Sequence, residues 1–194
     1  MSVWDFVTDF GDSAVTVPLA LLVFVFLWAA RARRIAFGWA VATGGCAVTM
    51  GALKVLFMAC RPEFADISSP SGHTAMSVVV YGALAALVGA RLPTGQRRIV
   101  SIATGLAIIG ISLSRWVLRD HSAAEIAIGF GVGTAALALF RLWLGRKGAP
   151  PLPLKWLALS AACLVAVMHG MRWKVEPTVH RLAWDIRAVL PWCR

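Results

Sequence analysis

Six long apolar stretches, at about 14–30, 35–58, 72–90, 98–114, 122–144 and 154–170, dictate what this 194-residue chain can become. Most are close to the ~20 residues that a helix needs to cross a bilayer, and a helix satisfies its backbone N–H and C=O groups within its own segment, as hydrocarbon requires. The expected fold is an all-α membrane protein, a single bundle of about six transmembrane helices. Composition agrees, because 59% of the residues are hydrophobic and 14% are charged, against ~25% charged in an average soluble domain. The first stretch follows an acidic start (Asp5, Asp9, Asp12) and precedes Arg31, Arg33 and Arg34. A secretory signal has the opposite charge order, so this stretch is expected to be a retained span.

The connectors are short and hold helix breakers, as in Arg91-Leu92-Pro93-Thr94-Gly95 and Gly148-Ala149-Pro150-Pro151-Leu152-Pro153. No internal repeat or soluble domain interrupts residues 1–194, which read as one domain: a core at about 35–145, then an extra span and tail at about 150–194. The formal charge of +10 does not point to nucleic acid, because the basic residues sit in short loops between spans instead of along a soluble face. Ten Lys and Arg lie in the connectors after the first, third and fifth stretches, and all nine Asp and Glu lie on the other side; that side also holds nine Lys and Arg, four of them in the reactive blocks and five in the C-terminal tail. Short-loop bias places those odd connectors in the cytoplasm. Both ends of the chain then face outward, which for a bacterial inner membrane means the periplasm or exterior.

Gly44, Gly45, Gly82, Gly105 and Gly110, with the GxxxG spacing from Gly129 to Gly133, are expected to allow close helix packing inside the bundle rather than dimerisation. The cysteines show no metal-ligand spacing. Cys46 and Cys163 lie in apolar runs, and Cys60 and Cys193 near a span end or the terminus; all four read as buried thiols, with a Cys60–Cys193 disulfide the alternative if both face an oxidising compartment. In the tail, Trp173, Trp184 and Trp192 alternate with basic residues, and Leu182, Ile186, Val189 and Leu190 can line one face of a short helix. Such a helix either lies at the membrane interface or covers the entrance of a site.

Three blocks carry nearly all the reactive groups near the spans. Lys54 and Arg61 are seven residues apart, two helical turns, so both can point the same way before Pro62 ends the helix. A guanidinium fork and a mobile ammonium suit phosphate oxygens, although such a pair alone is more often an interfacial snorkelling pair. Pro70-Ser71-Gly72-His73 opens the third stretch. Ser71 can cap that helix, and the free N–H groups there can hold an anion. Ser114 and Arg115 end the fourth stretch, and His121 starts the fifth with Glu125 one turn later. At that spacing a carboxylate can hold one imidazole nitrogen protonated and leave the other free to attack. Arg119 and Asp120 read as a solvated loop pair.

The order Lys54-x6-Arg61-Pro62, Pro70-Ser71-Gly72-His73, Ser114-Arg115-x5-His121-x3-Glu125 resembles the signature of the type 2 phosphatidic acid phosphatase superfamily, which ends in Asp where this chain has Glu125. The resemblance implies that His121 is the nucleophile forming a phosphohistidine, His73 the acid for the leaving oxygen, and Glu125 the residue that orients His121. It also implies that Lys54, Arg61, Ser71, Gly72, Ser114 and Arg115 bind the phosphoryl oxygens, with no metal or other cofactor. The implied enzyme is a lipid phosphate phosphatase acting on a monoester or diphosphate at the outer leaflet. A phosphotransferase using the same intermediate, and an inactive scaffold or lipid-binding protein, are the rival readings. Six-span members of the family usually place Pro-Ser-Gly-His at the fourth span, whereas here it opens the third, so an N-terminal span is absent relative to them and a C-terminal one is added.

Overall fold

The computed structural model describes residues 2–60, 67–145, 150, 152–173 and 176–189. Helix α1 (Val3–Asp9) is held at its start by a capping box, with the Ser2 hydroxyl accepting from the Asp5 N–H and the Asp5 carboxylate accepting from the Ser2 N–H. Then follow α2 (Ser13–Ala29), α3 (Arg33–Ala59), α4 (Gly72–Gly89), α5 (Thr94–Val117), α6 (Ala123–Leu144), α7 (Leu154–Met168) and α8 (Glu176–Val189). Five units are long and apolar enough to cross a membrane, α1 with α2 counting as one. The sixth apolar helix, α7, has 15 residues, which at ~1.5 Å per residue gives ~22 Å, less than the ~30 Å hydrocarbon core. The all-α bundle is therefore as the apolar pattern requires, with one short member.

Helix α4 holds the centre and packs on α2, α3, α5 and α6. Its buried residues, among them Ala75, Val78, Val79, Val80, Ala83 and Leu87, surround the whole helix, so it has no amphipathic stripe. Helix α5 is the opposite case. Ile99, Ile102, Leu106, Ile109 and Leu113 are exposed at spacings of three and four while Ile108 and Ile111 are buried, which marks a lipid-facing stripe. Trp39 of α3 is fully buried and its indole N–H donates to the Ala20 carbonyl at 2.9 Å, tying α2 to α3 and meeting the need for a partner.

The expected role of GxxxG is realised between α4 and α6. A Cβ at Gly133 would stand 2.6 Å from the Ala75 carbonyl oxygen, and one at Gly129 would collide with the Ser71 carbonyl oxygen. Gly82 is likewise filled by Leu137. Gly44, Gly45 and Gly105 correct the expectation, since an added Cβ there would meet nothing within 4 Å; they lie on outer faces where no second helix approaches. Gly129→Val is expected to destabilise by about 1–3 kcal/mol or more through overpacking, read as a lowered thermal midpoint in detergent. Gly131→Val, placed in open space, is the control that should not.

Two further observations concern the periphery. Helix α8 lies along α3 but presents Val179 and Ala183, both buried, while Leu182 is 49% exposed. Leu182, three positions after Val179 and four before Ile186, flanks the same apolar side and stands at its open edge. Ile186 is half-buried on the same side, and Leu190 and Trp192 lie outside the described residues. Cys46 is buried as expected, but Cys163 is exposed, because α7 packs chiefly on α2 and leaves its other faces open. Cys60 is disulfide-bonded, which corrects its reading as a buried thiol; Cys193, the partner of the alternative reading, lies outside the described residues.

Candidate active site

The turn from α5 to α6 is built to present His121. Helix α5 closes with Arg119 in the left-handed region (φ 57), the usual way to end a helix, and the Asp120 and His121 N–H groups both donate to the Arg115 carbonyl at 3.1 and 3.2 Å. Ser122 then caps α6 and forms a capping box with Glu125. The Glu125 oxygen that closes the box, Oε2, also lies 3.1 Å from His121 Nδ1. Its other oxygen, Oε1, accepts from the Ser68 N–H at 2.7 Å, the Ser68 hydroxyl at 3.0 Å and the Ser69 N–H at 2.6 Å. One buried carboxylate, 4% exposed, thus ties together the His121 ring, the start of α6 and the loop before Pro70.

This reach gives a physical account of Glu125 in place of the signature's Asp. From the third position of α6 a carboxylate must span from His121 to Ser68 and Ser69, and the extra methylene supplies that span. The loop it holds leads directly into α4, where Ser71 donates its N–H to the Glu125 carbonyl at 3.1 Å and its hydroxyl caps the helix through the Thr74 N–H at 3.4 Å. Ser71 is fully buried, as is Ser114, whose hydroxyl donates to the Ile111 carbonyl at 2.6 Å. Neither is among the side chains lining the cavity described next; both hold helix backbone. Gly72 approaches the Lys54 side chain and, with it, lines a small adjoining cavity. Arg61 and Pro62 lie outside the described residues.

Lys54 from α3, His73 from α4, Arg115 from α5 and His121 gather around one cavity of about 780 Å³. Arg115 is steadied by α1, its Nη1 donating to the Thr8 hydroxyl at 3.0 Å. The same nitrogen lies 2.9 Å from the Asp120 carboxylate, which corrects the expected Arg119–Asp120 pair: the tight turn aims Asp120 back at the end of α5. Burial is the chief reason that His121 sits below the usual imidazole range; Glu125 pulls it upward, and the charges of Arg115 and Lys54 push it further down. A neutral His121 with Nδ1 engaged by Glu125 presents Nε2 as a free base beside two cations.

The family model of the PAP2 superfamily matches residues 34–149, a span that contains all three blocks. The chain belongs to the PAP2 superfamily. It is an integral membrane protein with a phosphatase-type function of the kind that acts on lipid phosphates. An "Uncharacterized 22.5 kDa protein in cps region" of Klebsiella pneumoniae is 30% identical to it over 169 residues, covering 84% of this chain and 79% of the relative. No solved structure matches it.

The matched span leaves out α1, α2 and the tail, yet α1, the capping residue of α2 and the tail all contribute to the cavity. Thr8, Asp9 and Asp12 line it together with Arg172, Trp173, Pro177 and His180 of the tail. Arg172 bridges the two, with Nε 2.9 Å from Asp9 and Nη2 3.4 Å from Asp5. The described part of the tail thus lines the cavity. No motif in the sequence marks these residues as cavity-lining; the signal available was the recurrence of Asp5, Asp9 and Asp12 at intervals of four and three.

Proposed function

We propose that this protein hydrolyses a lipid phosphate monoester or diphosphate through a phosphohistidine at His121, with the site at the outer leaflet. The observation that carries the reading is the His121 Nδ1 to Glu125 contact at 3.1 Å, which frees Nε2 toward a cavity holding Lys54, Arg115 and His73. In the first step Nε2 forms a P–N bond, the P–O bond to the lipid breaks, and His73 gives its proton to the leaving oxygen. In the second, water attacks phosphorus, His73 takes the water's proton, and phosphate leaves His121. Lys54 and Arg115 meet the charge on the equatorial oxygens, where phosphoryl transfer gains most from fixed cations. Arg61 and the Gly72 N–H are assigned to the same task from the signature. The lipid-facing stripe of α5, ending near Arg115, suits a substrate whose tails stay in the bilayer.

Phosphatidate, phosphatidylglycerol phosphate, polyprenyl diphosphate and lipid A phosphates all present the required group, and the outward orientation draws support from the cytoplasmic bias of the basic connectors. The test is release of inorganic phosphate by the purified protein in mixed micelles, one lipid class at a time. Turnover with a single substrate is the expected result; turnover only after a second lipid is added would mean transfer instead of hydrolysis, and none with any class would support a scaffold. EDTA should leave the rate unchanged, and vanadate, which adopts the five-coordinate geometry of the transferring phosphoryl group, should inhibit. Strict dependence on added magnesium would sink the mechanism.

A further inference from the structure

We propose that Asp12 is the positioning residue for His73, holding that ring for proton delivery in the same way that Glu125 holds His121 for attack. The inference rests on the reading of His73 as the acid. Asp12 lies at the start of α2, outside the matched family span, and is 6% exposed. Its Oδ1 accepts from the Ala14 N–H at 2.8 Å and the Trp173 N–H at 3.3 Å, and these two bonds turn Oδ2 toward His73 Nε2, 3.5 Å away.

The two imidazoles are held by opposite nitrogens. Glu125 takes Nδ1 of His121 and leaves Nε2 for phosphorus; Asp12 takes Nε2 of His73 and leaves Nδ1 for the leaving oxygen. As the P–O bond breaks, the Nδ1 proton of His73 passes to the alkoxide, and in the hydrolytic step Nδ1 takes the proton back from the attacking water. His73 must carry this proton in a cavity that Lys54 from α3 and Arg115 from α5 also line. Two cations oppose a third positive charge there, and the Asp12 carboxylate supplies the opposite sign at the ring itself. Asp12 also receives the Trp173 N–H, so the tail that lines the cavity helps to set the orientation of the acid.

Leaving-group dependence separates this role from mere support of α2. Protonation matters for an alkoxide and little for p-nitrophenolate, and kcat/KM reports events up to formation of the phosphohistidine. Asp12→Asn keeps an acceptor for the helix cap but loses the charge. It should raise the ratio of kcat/KM for p-nitrophenyl phosphate over dodecyl phosphate by about 10- to 100-fold, part of the ~10²–10⁴ a general acid supplies. Asp12→Ser, another good cap, should do the same, Asp12→Glu should recover part of the ratio, and adding Asp12→Asn to His73→Ala should change it no further. If His73→Ala shifts the ratio and neither Asp12→Asn nor Asp12→Ser does, the proposal fails while the acid role of His73 stands. Equal losses on both substrates with a lowered thermal midpoint would overturn it in favour of a structural Asp12. An unchanged ratio in His73→Ala would instead remove the acid reading on which it rests.

Discussion

His121→Ala is expected to abolish phosphate release, with kcat falling at least ~10⁴-fold, because removing the nucleophile of a covalent mechanism leaves only positioning and electrostatics. The fold should survive: His121 stands in the turn between α5 and α6, and the α6 capping box depends on Ser122 and Glu125. A thermal midpoint near that of the wild type would show that the loss is chemical. Rapid alkaline quenching of the wild type with labelled substrate should trap a phosphoryl group on His121, since phosphohistidine survives base and decays in acid. The same residue sets the acid side of the pH profile. Burial keeps His121 below the usual imidazole range, so the neutral, attacking form persists to lower pH. The fall in kcat/KM caused by its protonation should therefore lie below pH ~6.5. Turnover by His121→Ala within ~10-fold of wild type would end the phosphohistidine reading.

What was legible in the sequence followed the length scale of the contact. His121 and Glu125 lie one helical turn apart, so spacing alone could pair them. Six apolar stretches could be read as helices because the bilayer demands length and internal hydrogen bonding, whatever the neighbours are. The His73 to Asp12 contact joins residues 61 positions apart, and no local rule connects an acidic start to an imidazole on α4. Helix α1 was hidden for a related reason: seven residues are too few to show a period, and a helix so short persists only by packing, here on α5. Ser71 and Ser114 illustrate the opposite limit. Their place in the signature suggested phosphate ligands, and the structure shows both hydroxyls engaged with backbone. Among the glycines, composition could not separate Gly129, pressed against Ser71, from Gly44 in open space, because that difference belongs to the partner helix.

Glu125→Gln is expected to lower kcat by on the order of 10³–10⁴-fold, the scale seen when the orienting carboxylate of a catalytic histidine becomes an amide. Both carboxylate oxygens act as acceptors here: Oε1 from Ser68 and Ser69, Oε2 from the Ser122 N–H and toward His121 Nδ1. An amide has a single acceptor oxygen, so its NH2 must face one of these groups. If it faces His121, it favours the ring form with the proton on Nε2, which removes the attacking lone pair. If it faces Ser68 and Ser69, two backbone donors lose their acceptor and the loop that feeds α4 loosens, at a cost of about 1–3 kcal/mol per unsatisfied buried group. Glu125→Asp separates reach from charge. The aspartate restores the residue type of the signature and keeps the charge, but its shorter side chain cannot hold His121 and the Ser68 loop together, so both activity and thermal midpoint should fall, by less than with glutamine. A rise in kcat for Glu125→Asp would contradict the span argued for Glu125, and would mark it as a partial loss of function instead of an adaptation to a loop that lies one methylene further away.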